Sequence, residues 1–158
     1  MSLQHDMFLD RLRSSSGAVF VVGHWLHALG EYVEMPPIRY APDAASAPDY
    51  IDCGDLFATK NGRRRLIEIK KRREIKFNSV VDYPYPDIMV SNVAAVDRRV
   101  GEVAAYVIVS ADLAAAAIIP ATTRPHWFVL ERKMKNTGNV ERVYTCPKNK
   151  ATFIRLDA

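Results

Sequence analysis

The sequence predicts an α/β fold built on a mixed β-sheet. Three observations carry this: helical periodicity near the N-terminus, two strand-like segments joined by Asn61-Gly62, and a strand–helix–strand pattern over residues 87–109. At 158 residues the chain can bury one complete hydrophobic core and is short for two, so a single domain spanning 1–158 is expected. A composition 49% hydrophobic and 25% charged excludes a disordered class.

From Gly17 to Leu29 the residues Phe20, Val21, Trp25, Leu26 and Leu29 recur at near-helical spacing, and Gly30 suits the position after a helix C-terminus. Val19 to Val22 also has strand propensity. Pro36 and Pro37 limit Tyr32 to Tyr40 to an edge strand or a bulged one. Ala41 to Pro48, rich in alanine and proline, reads as a surface loop. Gly54 to Thr59 and Arg65 to Lys71 flank Asn61-Gly62, a tight-hairpin signal, because both residues tolerate the positive φ that a two-residue turn demands. Asp87 to Ser91 reads as a short strand, Asn92 to Val100 as a helix capped by Ser91, and Ala105 to Val109 as a buried strand. Trp127 to Glu131, Val140 to Thr145 and Thr152 to Leu156 supply three further strand-like segments.

The apolar run from Ala104 to Ala121 approaches membrane-spanning length, but Ser110 and Asp112 interrupt it, so no membrane helix is expected. No signal-peptide core is visible, and two cysteines, Cys53 and Cys146, neither form a disulfide framework nor match a zinc spacing. A reduced cytoplasmic protein is the simplest reading.

The hairpin carries the chemistry. With Asn61 and Gly62 at the centre of the turn, antiparallel register sets Asp55 opposite Glu68. Cross-strand partners on one face have Cβ atoms roughly 4.5–5.5 Å apart, so two carboxylates converge on a small volume and repel unless a cation lies between them. Lys70 shares the face of Glu68, whereas Ile67 and Ile69 point to the other side, toward a core. Two such oxygen donors suit a hard divalent cation, Mg²⁺ or Mn²⁺, with a backbone carbonyl, here that of Ile69, and water completing its sphere.

The stretch from Gly54 through Asp55-Leu56-Phe57-Ala58 and the turn to Leu66-Ile67-Glu68-Ile69-Lys70 resembles the D-x(n)-E-x-K core of the PD-(D/E)XK nuclease superfamily, which includes restriction endonucleases and Holliday-junction resolvases. The resemblance covers seventeen residues and implies a restriction endonuclease-like αβββαβ core, a central mixed sheet flanked by helices. By resemblance Asp55 and Glu68 bind the metal, Lys70 assists the water that attacks a phosphodiester, and DNA is the expected substrate. Homodimers that cut both strands are common among small nucleases of this kind. An acidic residue on the first helix reaches the metal in many members, and Glu31, the closer to the helix, or Glu34 is the candidate; a solvated surface carboxylate is the equal alternative for either. The chain departs from the pattern in three places. Gly54 stands where the superfamily often has proline, a literal Pro48-Asp49 and Asp52 lie upstream, and Pro84 and Pro86 delay any second helix. Asp49 or Asp52 replaces Asp55 if the turn is longer than two residues.

The string E-x-K recurs as Glu74-Ile75-Lys76 and Glu131-Arg132-Lys133, so only the opposing Asp55 singles out Glu68 and Lys70. Between Arg63 and Lys76 eight of fourteen residues are basic: Arg63, Arg64, Arg65, Lys70, Lys71, Arg72, Arg73 and Lys76. Around a metal site this is an electrostatic footprint for nucleic-acid phosphates, against the plainer reading of a solvated hairpin guarding its edges. His24 and His27 lack a third metal ligand, and Cys53 reads as a small packing residue; Trp127 beside His126 reads as a strand anchor, with a base or phosphate contact from its loop, which holds Thr122, Thr123 and Arg124, as the alternative. The rival to a nuclease is a non-catalytic nucleic-acid-binding or assembly module that keeps the fold.

Overall fold

The computed structural model describes residues 3–37, 41–46, 55–135 and 138–157, with side chains from residue 16 onward. Asp49, Asp52, Cys53 and Gly54 lie outside the described residues. Helix α1, Leu3–Ala28, extends further toward the N-terminus than the periodic stretch that announces it. Ala18, Val22 and Leu26 recur every four residues on one side of it and are buried. It ends as its glycine requires: Gly30 takes φ 81°, with its amide donating to the His27 carbonyl and the Glu31 amide donating to the Leu26 carbonyl. This double bond pattern is a Schellman cap, and it fixes where Glu31 leaves the helix.

Strands β1 (Tyr32–Glu34), β2 (Leu56–Lys60) and β3 (Arg63–Lys71) form an antiparallel meander, with β1 as the edge strand its prolines suggested. The chain then crosses over through β4 (Asp87–Asn92) and the short helix α2 (Val93–Arg98) to β5 (Val103–Val109), which runs parallel to β3. Strands β6 (Ala115–Pro120) and β9 (Thr152–Arg155) complete a six-stranded mixed sheet ordered β1-β2-β3-β5-β6-β9. A second, three-stranded antiparallel sheet is ordered β4-β8-β7, with β7 at Phe128–Lys133 and β8 at Val140–Pro147. No described helix is long and apolar enough to cross a membrane.

Two cores lie on the two faces of the large sheet. On one, α1 packs Ala18, Val22 and Leu26 over Leu56, Ala58, Ile67, Ile69, Val107 and Val109. On the other, Leu66, Tyr106, Ile108 and Ile119 meet Phe77, Tyr83, Ile88, Val90 and Val96, which come from the crossover and its surroundings. Fully burying a side chain such as Leu56 or Ile108 contributes roughly 1.5–3 kcal/mol, so each face has its own reason to stay closed. The sequence led us to expect helices on both faces. The structure instead covers the second face with the three-stranded sheet and the six-residue α2, which is confined between the end of β4 at Asn92 and the turn at Gly101, φ 85°, that leads into β5. The expected Ser91 cap is also corrected: β4 runs on to Asn92, whose side chain accepts from the Ala95 amide at 2.7 Å.

Candidate functional site

Asn61 and Gly62 both adopt positive φ, 51° and 75°, so the hairpin closes in two residues as its sequence demands. The resulting register pairs Leu56 with Ile67, Ala58 with Arg65 and Lys60 with Arg63, the alignment expected from that turn. β2 starts at Leu56, so Asp55 stands one residue before the ladder rather than within it. Its carboxylate Oδ2 accepts a hydrogen bond from the Ile69 amide at 2.5 Å. β3 continues past the start of β2, and Asp55 satisfies a backbone donor that no β2 residue reaches. The same bond brings the Asp55 carboxylate to the backbone between Glu68 and Lys70.

Ile67 and Ile69 belong to the core under α1, and by strand alternation Glu68 and Lys70 point to the opposite side, beside buried Leu66. That side is covered, not open. Glu68 is only 15% exposed and forms a short ion pair with Arg99, the residue that ends α2, itself 22% exposed. Burying a carboxylate demands a countercharge, and Arg99 supplies it. Tyr106 is the β5 partner of Glu68. Burial, reinforced by the Glu68 charge, raises the Tyr106 phenol above its ordinary pKa and keeps it protonated. Lys70 is half-buried and has no hydrogen-bond or ion-pair partner among the described residues.

Glu31 does not join this group. Its carboxylate is 8% exposed and forms a short ion pair with Arg65, which alternates with Ile67 and Ile69 toward the α1 side. Glu34 pairs with Arg64 at 3.0 Å, and the Arg64 guanidinium lies 3.6 Å from the centroid of the Phe57 ring.

The basic cluster is divided in the same way. Arg72 turns inward and donates to the Met89 carbonyl, tying β3 to β4, and burial lowers its pKa. Lys76 approaches Asp112 at 3.6 Å. Arg63 and Arg73 are exposed and Lys71 half-buried.

Neither competing E-x-K string has a comparable setting. Glu74 pairs with exposed Lys135 at 2.9 Å, and every residue of β7, including Glu131 and Lys133, faces solvent. His24 and His27 are exposed on α1. Trp127 is the expected anchor: its indole N–H donates to Thr123 Oγ1 at 2.9 Å, and its ring meets Tyr106 with centroids 5.8 Å apart.

Among the described residues no three His, Cys, Asp or Glu side chains gather in one place. Asp55, Glu68 and the Ile69 carbonyl are oxygen donors of the kind Mg²⁺ accepts, and that ion retains most of its water. The donor chemistry therefore fits a divalent cation. Arg99 and Tyr106 are the site residues that sequence reading missed; neither stands in a recognisable motif, and both reach Glu68 only through the crossover.

The chain matches no protein-family model and no curated protein.

Proposed function

We propose that this protein is a metal-dependent nuclease of the PD-(D/E)XK type that hydrolyses phosphodiester bonds in DNA. The observation that carries this reading is the Asp55–Ile69 bond, which brings one carboxylate to β3 between a second carboxylate, Glu68, and the ammonium of Lys70, which has no ion-pair partner among the described residues. With β4 set aside as part of the second sheet, the order α1, β1, β2, β3, α2, β5, with β5 parallel to β3, supports it, because it follows the αβββαβ order of that superfamily.

Asp55, Glu68 and the Ile69 carbonyl would hold a divalent cation, which would supply Lewis-acid stabilisation of a phosphoryl oxygen. The protein's own groups do the remaining work. Lys70 orients the attacking water and offsets negative charge as it develops on the scissile phosphate. Asp55, fixed by the Ile69 amide, keeps its carboxylate at β3 without a conformational search. Glu68 needs a cation beside it at every stage, and Arg99 holds that place in this structure. Exposed Arg63 and Arg73, with half-buried Lys71, attract the phosphate backbone.

The Glu68–Arg99 pair also favours a second reading, a binding module whose carboxylate serves only the fold. Incubation with linear, supercoiled and branched DNA, with and without Mg²⁺ or Mn²⁺, separates the two. Metal-dependent cleavage that disappears in Lys70→Met supports the nuclease; binding without cleavage under every condition supports the module.

A further inference from the structure

Beside Glu68 lies a cavity of about 270 Å³ that the chemistry above does not use. Val96 and Val103 supply apolar walls, Tyr106 and Trp127 an aromatic side, and Arg99 and Arg124 bring two guanidinium groups. The cavity is continuous with the proposed site in two ways. Arg99 lines it and is the ion-pair partner of Glu68. Tyr106 also lines it and sits opposite Glu68 on the neighbouring strand, where adjacent strands are about 4.8 Å apart.

We infer that this cavity receives one unpaired nucleotide next to the scissile phosphate, so that the preferred substrate is a nucleic acid with a single-stranded or branched segment at the cut. The inference rests on the nuclease reading and specifies its substrate. Aromatic and aliphatic walls accept the face of any base, with Trp127 held rigid by its bond to Thr123. The flanking phosphate finds Arg124. Its Nη2 donates to Asp97 at 2.6 Å and to the Tyr144 hydroxyl at 3.1 Å, while Nε and Nη1 make no hydrogen bond among the described residues. A guanidinium carries five donors in one plane, so anchoring through Nη2 leaves the others for a phosphate. The volume lies just below the roughly 300–1,000 Å³ typical of small-molecule sites, which suits one nucleotide and excludes a stack.

Trp127 is its own reporter. With Trp25→Phe as background, Trp127 is the sole tryptophan of the two in the chain, and its emission is followed in EDTA, where no cleavage occurs. A short single-stranded oligodeoxynucleotide and a blunt duplex of the same sequence are titrated, with filter binding of both in parallel. The single strand should shift Trp127 emission saturably. Thr122→Phe, at an exposed position lining the cavity, should weaken that binding by about tenfold, the worth of one stacked base, and leave duplex binding within about twofold. Arg124→Gln should act in the same direction. The inference is overturned if the single strand binds without moving Trp127 emission, or if Thr122→Phe weakens single strand and duplex alike. Absence of binding to either overturns it together with the nuclease reading. An intact emission response without cleavage in Mg²⁺ counts against the nuclease reading alone.

Discussion

Glu68 on β3 and Arg99 at the end of α2 form an ion pair whose side chains are 15% and 22% exposed, so the central acid of the candidate site is neutralised by a residue thirty-one positions away. The pair ties the crossover to the sheet, and it occupies the carboxylate that a metal ion would need. Replacing Arg99 with methionine leaves a largely buried charge without its partner, and the expected loss is roughly 2 kcal/mol in urea unfolding at neutral pH. Adding Glu68→Gln to the same chain removes the uncompensated charge and should recover about half of that. Mn²⁺ should raise the urea midpoint more in Arg99→Met than in the parent protein, because the guanidinium no longer competes for Glu68. An equal response in both would show that they do not compete.

Asp55 and Lys70 have separable duties. Asp55→Asn keeps an oxygen for the Ile69 amide and Asp55→Ala does not, so the alanine variant alone should lose about 1–2 kcal/mol. Both should lose metal-dependent cleavage. Lys70→Met removes a side chain without a polar partner among the described residues and should leave stability within about 0.5 kcal/mol, while cleavage falls at least roughly a hundredfold. Cleavage within a few-fold of the parent protein in Lys70→Met would remove that residue from the mechanism.

Duplex binding should depend on salt less steeply than eight clustered basic residues suggest. Arg64, Arg65 and Arg72 are committed to Glu34, Glu31 and the Met89 carbonyl. With two to four phosphates neutralised, the slope of log affinity against log salt should lie at roughly −2 to −4. Arg63→Ala or Lys71→Ala should each reduce it by about 1, and Arg65→Ala should instead lower stability by freeing the buried Glu31. A slope near −7, with Arg65→Ala also flattening it, would mean that the internal pairs open on binding.

Acid should loosen the segment that leads into β4. The Asn78 and Ser79 amides donate to Asp82 at 3.0 and 2.7 Å and lower its carboxyl pKa from 3.8 to about 2. A carboxylate with a depressed folded pKa stabilises fully above its unfolded value. That contribution is therefore intact above about pH 4 and disappears as pH falls through about 2. The difference in urea midpoint between the parent protein and Asp82→Asn should be greatest near pH 5 and close as pH approaches 2. A pH-independent difference would rule out the carboxylate charge as the cause.

Local signals were the legible ones. Asn61-Gly62 announces its turn because positive φ is a property of those two residues, and once the turn is tight the register follows without knowledge of the rest of the chain. Gly30 ends α1 for the same kind of reason. Strand β6, Ala115–Pro120, left no such mark: alanine has little strand propensity, and these residues form a strand because β5 and β9 flank them in a buried sheet. The sequence also assigned only one side of β3 to a core, whereas the crossover and the second sheet build another core over the side bearing Glu68.

By itself, then, the sequence determined the hairpin, its register and the shared face of Glu68 and Lys70, because turn chemistry and strand alternation act over a few residues. Tertiary structure alone decided that Asp55 bonds the Ile69 amide, that Glu31 belongs to Arg65, and that Arg99 meets Glu68. Charge pairing of this kind has no sequence period. It arises where folding withdraws a carboxylate from water and the nearest cation, however distant along the chain, must take over its solvation.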